Sequence, residues 1–406
     1  MRRLRTASAR RLAAIIAVVA GVALTGAVAQ GALTGSGPTP QPQALANAIL
    51  AGFKAPVPEG ITATIEFSNN LLPSGSLPHG TASPLLSGAD GRLWIRRNGD
   101  FRIELQSRAG DAQIVSVGDK ATVYDASSQT LYRLTLPDGE GADVRKRGDH
   151  DGQTLTLARV QRALDRLAKT WTVSGAEPTS TAGRPTYTVR ISPKDDGGLL
   201  GAAELAWDAV RGAPLRAAVY AQGTSEPVLE LKATDVSYDA VAESDVRLAA
   251  PAGAEVVDLS APSDDERETL ASGEKRHRHP TVVGPAAVQR GLGFELAAPA
   301  TLAGLPRKEV RLVTFDGEKG ALAIYGEGLG AIAVLQRKAD AADEKKKEED
   351  DDNALRLPEI NIDGATGSEL ATALGTIVTF ERGGVSYVVA GSVPPVAAEN
   401  AARGLK

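Results

Sequence analysis

From Ile61 to Phe67 apolar and polar residues alternate, which puts Ile61, Ala63, Ile65 and Phe67 on one side, the period-two signature of a half-buried β-strand. Strand patterns follow at Arg92–Arg97, Asp100–Ser107, Asp111–Gly118, Lys120–Asp125 and Thr130–Leu136. The breaks between them, Asn98-Gly99, Ala109-Gly110, Gly118-Asp119 and Ser127-Ser128, are built from residues that turn the chain tightly, so the strands pair as antiparallel neighbours. Two stretches carry a helical period instead. Leu45, Ile49 and Phe53 recur every four residues over Ala44–Phe53, ahead of Pro56 and Pro58, and Leu157, Val160, Leu164 and Leu167 are spaced by three, four and three. Arg159, Arg162, Asp165, Arg166 and Lys169 fill the remaining surface of the second helix.

Strand patterns resume at Trp171–Gly175, Pro185–Ser192, Ala203–Trp207, Pro214–Gln222 and Val228–Tyr238. The fold class is therefore α+β. About eleven antiparallel strands suffice for a curved sheet that curls into an unclosed β-barrel, with the two greasy helix stripes as a lid over its inner face. A solid β-sandwich with helices packed outside is the other arrangement that this pattern allows. Strand parity puts Ile65, Phe67, Leu93, Ile95, Phe101, Ile103 and Leu105 on the inner face, as candidates to line a ligand cavity; a one-residue slip in register would turn each outward. Aromatic residues are scarce and the only Met is Met1, so small aliphatic side chains would line such a space and leave room in it, unless they pack to ordinary density.

A length of 406 residues exceeds what one core supports and implies further domains. Segment 260–280 is dense in charge, from Asp264-Asp265-Glu266 to His277-Arg-His279, and reads as a solvated linker closing a domain over 44–259. Segment 281–406 then reads as a smaller α+β domain. Its strands are Val310–Phe315, Ala321–Tyr325, Ala331–Arg337, Thr376–Glu381 and Val385–Gly391, and Pro394-Pro395 opens a closing helix. Within it the acidic run 340–353, which holds Lys345-Lys346-Lys347, cannot bury surface and reads as a loop between strands.

At the other end, Arg2, Arg3, Arg5, Arg10 and Arg11 precede an uncharged apolar run from Leu12 to Leu33. This is the order of an export signal, cut after Ala29 and before Gln30, or kept as a membrane anchor. Residues 34–43 form a Pro/Gly/Gln-rich spacer. The chain is thus expected outside the cytoplasm, secreted or in the cell envelope, with the membrane as a partner through this segment where it stays uncut. Formal charge is −5, and −10 once those five arginines are left out, which argues against nucleic acid as a partner.

The run Glu204-Leu-Ala-Trp207-Asp-Ala-Val-Arg-Gly212-Ala-Pro214-Leu-Arg, followed by Thr234-Asp-Val-Ser-Tyr238 and Pro251-Ala-Gly-Ala-Glu255-Val, resembles the LolA/RseB-type envelope lipoprotein-carrier superfamily in its actinobacterial form. The resemblance covers roughly Gln43–Leu259 by order of elements and is sharpest over Leu205–Val256. It implies an unclosed antiparallel barrel whose concave side, capped by helices, accepts a lipid, the acyl chain of a lipoprotein, or a partner that reports envelope state. Thr376–Pro395 resembles the accessory domain that follows the barrel in RseB-like regulators. There the partner is the extracytoplasmic part of a membrane-bound anti-sigma factor.

Chemistry in the residues themselves points away from catalysis. The chain has no Cys, so thiolate chemistry and Cys-ligated metals are excluded. His79, His150, His277 and His279 all fall in expected loops or the linker, and no G-x-S-x-G elbow or phosphate-binding loop occurs. Gly326-x-Gly328-x-Gly330 lies between strands with no helix after it. The H-x-H pair His277/His279 reads as part of a solvated patch, and Glu66, Asp100, Glu104 and Asp125 as carboxylates facing water. Trp94, Trp171 and Trp207 suit core or rim positions, Trp94 and Trp207 also a cavity mouth. The expectation is a binding protein, not an enzyme, with no cofactor, metal or catalytic residue.

Overall fold

The structure is a computed structural model, and it describes residues 37–73, 83–108, 110–135, 155–195, 198–248, 251–258, 282–315, 318–339 and 357–406. The export segment, all four histidines, the linker 260–280 and the acidic run 340–353 lie outside the described residues.

The first half opens with α1 (Leu45–Lys54) and β1 (Gly60–Asn69), then the short α2 (Pro84–Ser87) and a meander of β2 (Ala89–Arg96), β3 (Phe101–Ser107), β4 (Gly110–Val117), β5 (Lys120–Asp125) and β6 (Thr130–Thr135). After α3 (Leu157–Leu167) come β7 (Trp171–Val173), β8 (Glu177–Thr181), β9 (Arg184–Pro193), β10 (Leu200–Asp208), β11 (Pro214–Ala221), β12 (Leu229–Ser237) and β13 (Glu255–Asp258). These strands form one thirteen-stranded sheet in the order β13-β6-β5-β4-β3-β2-β1-β12-β11-β10-β9-β7, with β8 also on β9. The path does not close on itself: a curled, unclosed antiparallel half-barrel, as the strand pattern implied. Two strands are additional to the eleven read from the pattern. β8 shares the edge of β9 with β7, and β13 lies parallel to β6, a pairing that no local turn announces.

Residues directly opposite one another in a ladder share a face. Following partners from strand to strand gives the row Val236, Ala63, Leu93, Ile103, Ile114, Val123, Tyr132 and Val257, apolar across eight strands. A neighbouring row runs Val189, Leu205, Ala217, Leu231, Phe67 and Ala89. The reverse face holds Lys232, Glu66, Asp90 and Gln106 in sequence. This sidedness fixes the register, because a slip would bury the charged row. Register shifts at Thr64/Ile65 and Ala206/Trp207 mark bulges that sharpen the local twist.

The second half contains α4 (Pro285–Gly291), β14 (Thr301–Leu302), β15 (Leu305–Phe315), β16 (Glu318–Tyr325), β17 (Ile332–Lys338), β18 (Glu359–Ile362), β19 (Ala365–Thr372), β20 (Gly375–Arg382), β21 (Val385–Gly391) and α5 (Pro395–Arg403). Its eight strands run β14-β15-β16-β17-β21-β20-β19-β18. Val288 of α4 and Ala398, Ala401 and Ala402 of α5 are buried against Val334, Val378, Phe380 and Val389 of the sheet. Three strands (β14, β18 and β19) and α4 escaped the pattern reading; Ala365–Thr372, rich in Ala, Thr and Gly, is a strand because its neighbours pair with it rather than by its own propensity. Gln336, fully buried, answers the backbone of Ala297 with both ends of its amide, at 2.9 and 2.8 Å.

Glu369 on β19 is buried with one carboxylate oxygen unpartnered, and burial, then the Glu399 charge, pushes its pKa up. A raised folded pKa means that stability is fully present below the usual glutamate range and is lost as pH rises through the folded value. Glu369→Gln should therefore melt at a higher temperature than the wild type at pH 8, and the gap should close on going to pH 4, as followed by circular dichroism. A gap independent of pH would refute this account.

The two sheets meet where the Ala373 N–H donates to Leu71 O at 2.7 Å and the Leu199 N–H to Ser392 O at 3.1 Å. Leu71, Ala221 and Val228 are buried there against Ala373 and Leu374.

Candidate functional site

The inner face of the half-barrel gathers its buried apolar side chains into one cluster. Ile65, Phe67, Leu93, Ile103 and Leu105 are buried in it, while Ile95 and Phe101 are half-buried and pack at its margin. All seven residues that parity assigned to this side thus lie together on it.

What covers the face differs from the expectation that two helices form the lid. Only α1 meets the sheet as expected: Ala48 is buried with Tyr187, Val189 and Trp207, and Leu45 and Ile49 pack beside them. Trp207 is therefore a core residue beneath α1, tilted against Tyr187 at 6.1 Å between ring centres, and not part of a cavity mouth. Trp94 is half-buried on the opposite face, below the Arg102 guanidinium at 5.6 Å. In α3 only Val160 is buried, and the helix packs on α1 and β7 instead of on the apolar rows.

The centre of the cluster is covered by α2, four residues to which the sequence pattern assigned no element. Ser83 caps it, accepting from the Leu85 N–H at 3.3 Å; Pro84 supplies a preset φ for the first turn, and Gly88, at φ 85°, ends it in a conformation that favours glycine. Asn69, at the end of β1, donates to Leu85 O at 2.7 Å and accepts from the Leu71 N–H at 3.0 Å. Leu85 (1% exposed) and Leu86 (3%) then project into the cluster, and the turn touches β1, β3 and β4. A cap, a proline and a glycine around two leucines were the available signal, too short to register as a helical period.

Beside α2 a groove of about 340 Å³ opens at the ends of β1, β2 and β3, bordered by Glu66, Ser68, Asn70, Ser87, Asp90 and Gln106, with Phe67 and Ala89 also in its lining. A polar rim thus adjoins an apolar interior, an arrangement suited to an amphiphile.

The most concentrated set of ionisable groups lies on the reverse face, across β9 to β12. Glu204 accepts from Arg190 Nη1 at 3.0 Å, from Tyr220 Oη at 2.8 Å and from Arg216 Nη1, and Arg216 Nε also donates to Glu230 at 2.5 Å. The Arg190 guanidinium stacks over the Tyr220 ring at 4.7 Å. Burial, with the nearby Glu204 carboxylate, pushes the Tyr220 hydroxyl up to about 12. Burial works against the Arg216 guanidinium, but its bonds to Glu204 and Tyr220 and the charge of Glu230 hold it protonated. Every member has a partner within the set, so it binds the strands together and leaves no group poised to react.

The four carboxylates expected to face water do not pair with one another, and Asp125 departs from that expectation by being buried. Glu66 lies near Lys232, Glu104 near Arg102, Asp100 accepts from the Gly118 N–H, and Asp125 is buried in the β5–β6 turn, holding Ser127. Among the described residues no cluster of three or more metal-ligating side chains occurs, and no helix is long and apolar enough to cross a membrane.

No family model matches the chain, and no curated protein matches it. Solved structures do. A structure described as MucB in complex with MucA(peri) is 14% identical over 89% of this chain and 96% of its own, with a TM-score of 0.38. A putative outer membrane lipoprotein-sorting protein domain from Vibrio parahaemolyticus is 12% identical, over 50% of this chain and 96% of that one (TM-score 0.23). A LolA superfamily protein from Nitrosomonas europaea is 10% identical, over 51% and 98% (TM-score 0.21). At these identities and TM-scores the likeness carries nothing about this chain's family, activity or partners.

Proposed function

We propose that this chain is an extracytoplasmic binding protein that holds a lipid, or the acyl chain of a lipoprotein, against the inner face of its half-barrel and performs no reaction on it. The observation that carries the reading is the apolar row crossing eight strands, covered among the described residues by Leu85 and Leu86 of α2, with Leu72, Ala182 and Leu357 packed against the same cluster. From Val236 to Tyr132 the row is itself buried, at 2–6% exposure, so a guest reaches it by displacing the side chains that now cover it. A saturated chain lying along the row would replace Leu85 and Leu86 contact for contact, with its head at the polar groove. Ile65, Phe67, Leu93, Ile95, Phe101, Ile103 and Leu105 form the wall in this reading. The basic-then-apolar N-terminus supports export, and the division into 44–259 and 281–406 makes the carrier the first domain.

The test is native mass spectrometry of protein made in its own host, followed by titration of the delipidated chain with a polarity-sensitive acyl probe. We expect co-purified lipid and a saturable blue shift. Leu86→Ala removes half of the plug, so it should cost about 2–4 kcal/mol of stability and bind the probe several-fold more tightly. Protein that emerges without lipid, and a probe that responds equally to wild type and Leu86→Ala, would overturn the proposal. Recovery of a single-pass membrane regulator with such lipid-free protein would point to a regulatory role.

A further inference from the structure

α3 carries an unusual surface for so acidic a protein. Arg159, Arg162 and Arg166 are spaced by three and four residues and lie on one stripe along the helix, which Leu155, just before its first turn, and Lys169, just after its last, continue at spacings of four and three. Arg162, Arg166 and Lys169 are exposed and Arg159 is half-buried. The Arg162 side chain is steadied by its Nε–H donating to Ala158 O at 3.2 Å. In front of the stripe lies a concave surface of about 780 Å³, lined by these five residues together with Ala163 and Asp165, the only acid among the described lining residues. At the start of the helix Leu155 is 36% exposed and Leu157 43%.

Like charges three and four residues apart on a helix repel, a cost that Asp165 offsets only in part. The remainder of the exported chain is net negative, so an anionic surface would repel the molecule in any orientation that does not lead with a local cationic face. Cations repeating once per turn, with Leu155 beside them, fit a plane of phosphates with an apolar layer just below it. An acidic peptide would satisfy the arginines but offers nothing to the exposed Leu155.

We infer that the cationic stripe of α3 docks the protein on an anionic phospholipid surface, with Arg162, Arg166 and Lys169 on lipid phosphates and Leu155 at the acyl boundary. The inference goes beyond acyl binding and stands whether or not the half-barrel holds a chain.

The full chain has no Cys, so Ala163→Cys gives a single attachment point for a polarity-sensitive fluorophore inside the concavity. The labelled chain is mixed with vesicles of phosphatidylcholine alone or of equal parts phosphatidylglycerol and phosphatidylcholine. Any insertion of the N-terminal apolar run is common to both, and the label reports α3. A blue shift is expected only with phosphatidylglycerol, reversed by 0.5 M salt. Charge reversal by R162E/R166E/K169E should weaken it on the order of a hundredfold. The three side chains are exposed, so the variant should keep the wild-type circular dichroism and, if the acyl reading is right, its co-purified lipid. A second, milder variant, R162Q/R166Q/K169Q, should weaken the shift less. The inference is overturned by an equal shift on neutral vesicles, by a shift that survives the reversal, or by one given by poly-glutamate and absent on vesicles.

Discussion

Arg216→Ala should lower the free energy of unfolding of the half-barrel by about 3–5 kcal/mol, the largest single-residue loss expected on its reverse face. The substitution removes the donor shared by Glu204, Glu230 and Tyr220 and leaves two carboxylates on the strands to either side of β11, one of them wholly buried, without their main counter-charge. Replacing both partners by apolar residues is a different experiment. Arg216→Met combined with Glu204→Leu removes the buried charges together and should cost less than Arg216→Ala alone. Arg216→Lys should fall between, because an ammonium cannot address three acceptors in the plane that a guanidinium spans. All three Trp residues, Trp94, Trp171 and Trp207, belong to the first sheet, so fluorescence in a urea series reads this sheet without the second. A loss under 1 kcal/mol for Arg216→Ala would show that the network does not hold β10, β11 and β12 together.

The second large effect is expected at Ile65. It is 2% exposed in the middle of the apolar cluster, on the strand from which the two arms of the sheet diverge. Its ladder partners are Ala233 and Gly91, so the adjoining positions on the same face have almost no side chain with which to fill a void. Gly91 cannot be enlarged in compensation, since a Cβ there would stand 2.0 Å from Glu104 O. Ile65→Ala should therefore cost toward the upper end of the about 2–5 kcal/mol typical of such truncations, and Ile65→Val about 1 kcal/mol. A lowered urea midpoint with an unchanged slope is the expected reading. Restoration of the midpoint by a saturating acyl probe would tie the cavity to the proposed ligand face, through the stabilisation that any ligand of the native state provides. A cost below 1 kcal/mol for the alanine variant would mean that the face collapses freely around the gap, and the account of a preformed wall would fail.

Elements set by local period were legible without coordinates. β2 to β6 follow one another through short turns and each keeps its greasy side in step, so their pairing, and the inward residues of β1 to β3, could be written down directly. The short pieces were not legible. α2 spans a single turn, too little for a hydrophobic period to accumulate, and β13 gains its place by lying parallel to β6, more than a hundred residues away. α3 was recognised as an amphipathic helix, yet its role as a lid was not correct, because amphipathicity fixes which stripe is buried and leaves open what buries it.

Residue order therefore set the class of fold, the antiparallel meander, the side of each strand that turns inward and the poverty of reactive groups, since these depend on spacing along the chain and on which side chains exist. Packing settled that Leu85 and Leu86 fill the centre of the inner face, that Trp207 lies beneath α1, and that Glu204, Arg216, Tyr220 and Glu230 meet in one buried set. Those outcomes hang on contacts between strands far apart in the chain, where the curl of the sheet selects the partner and no local pattern records the choice.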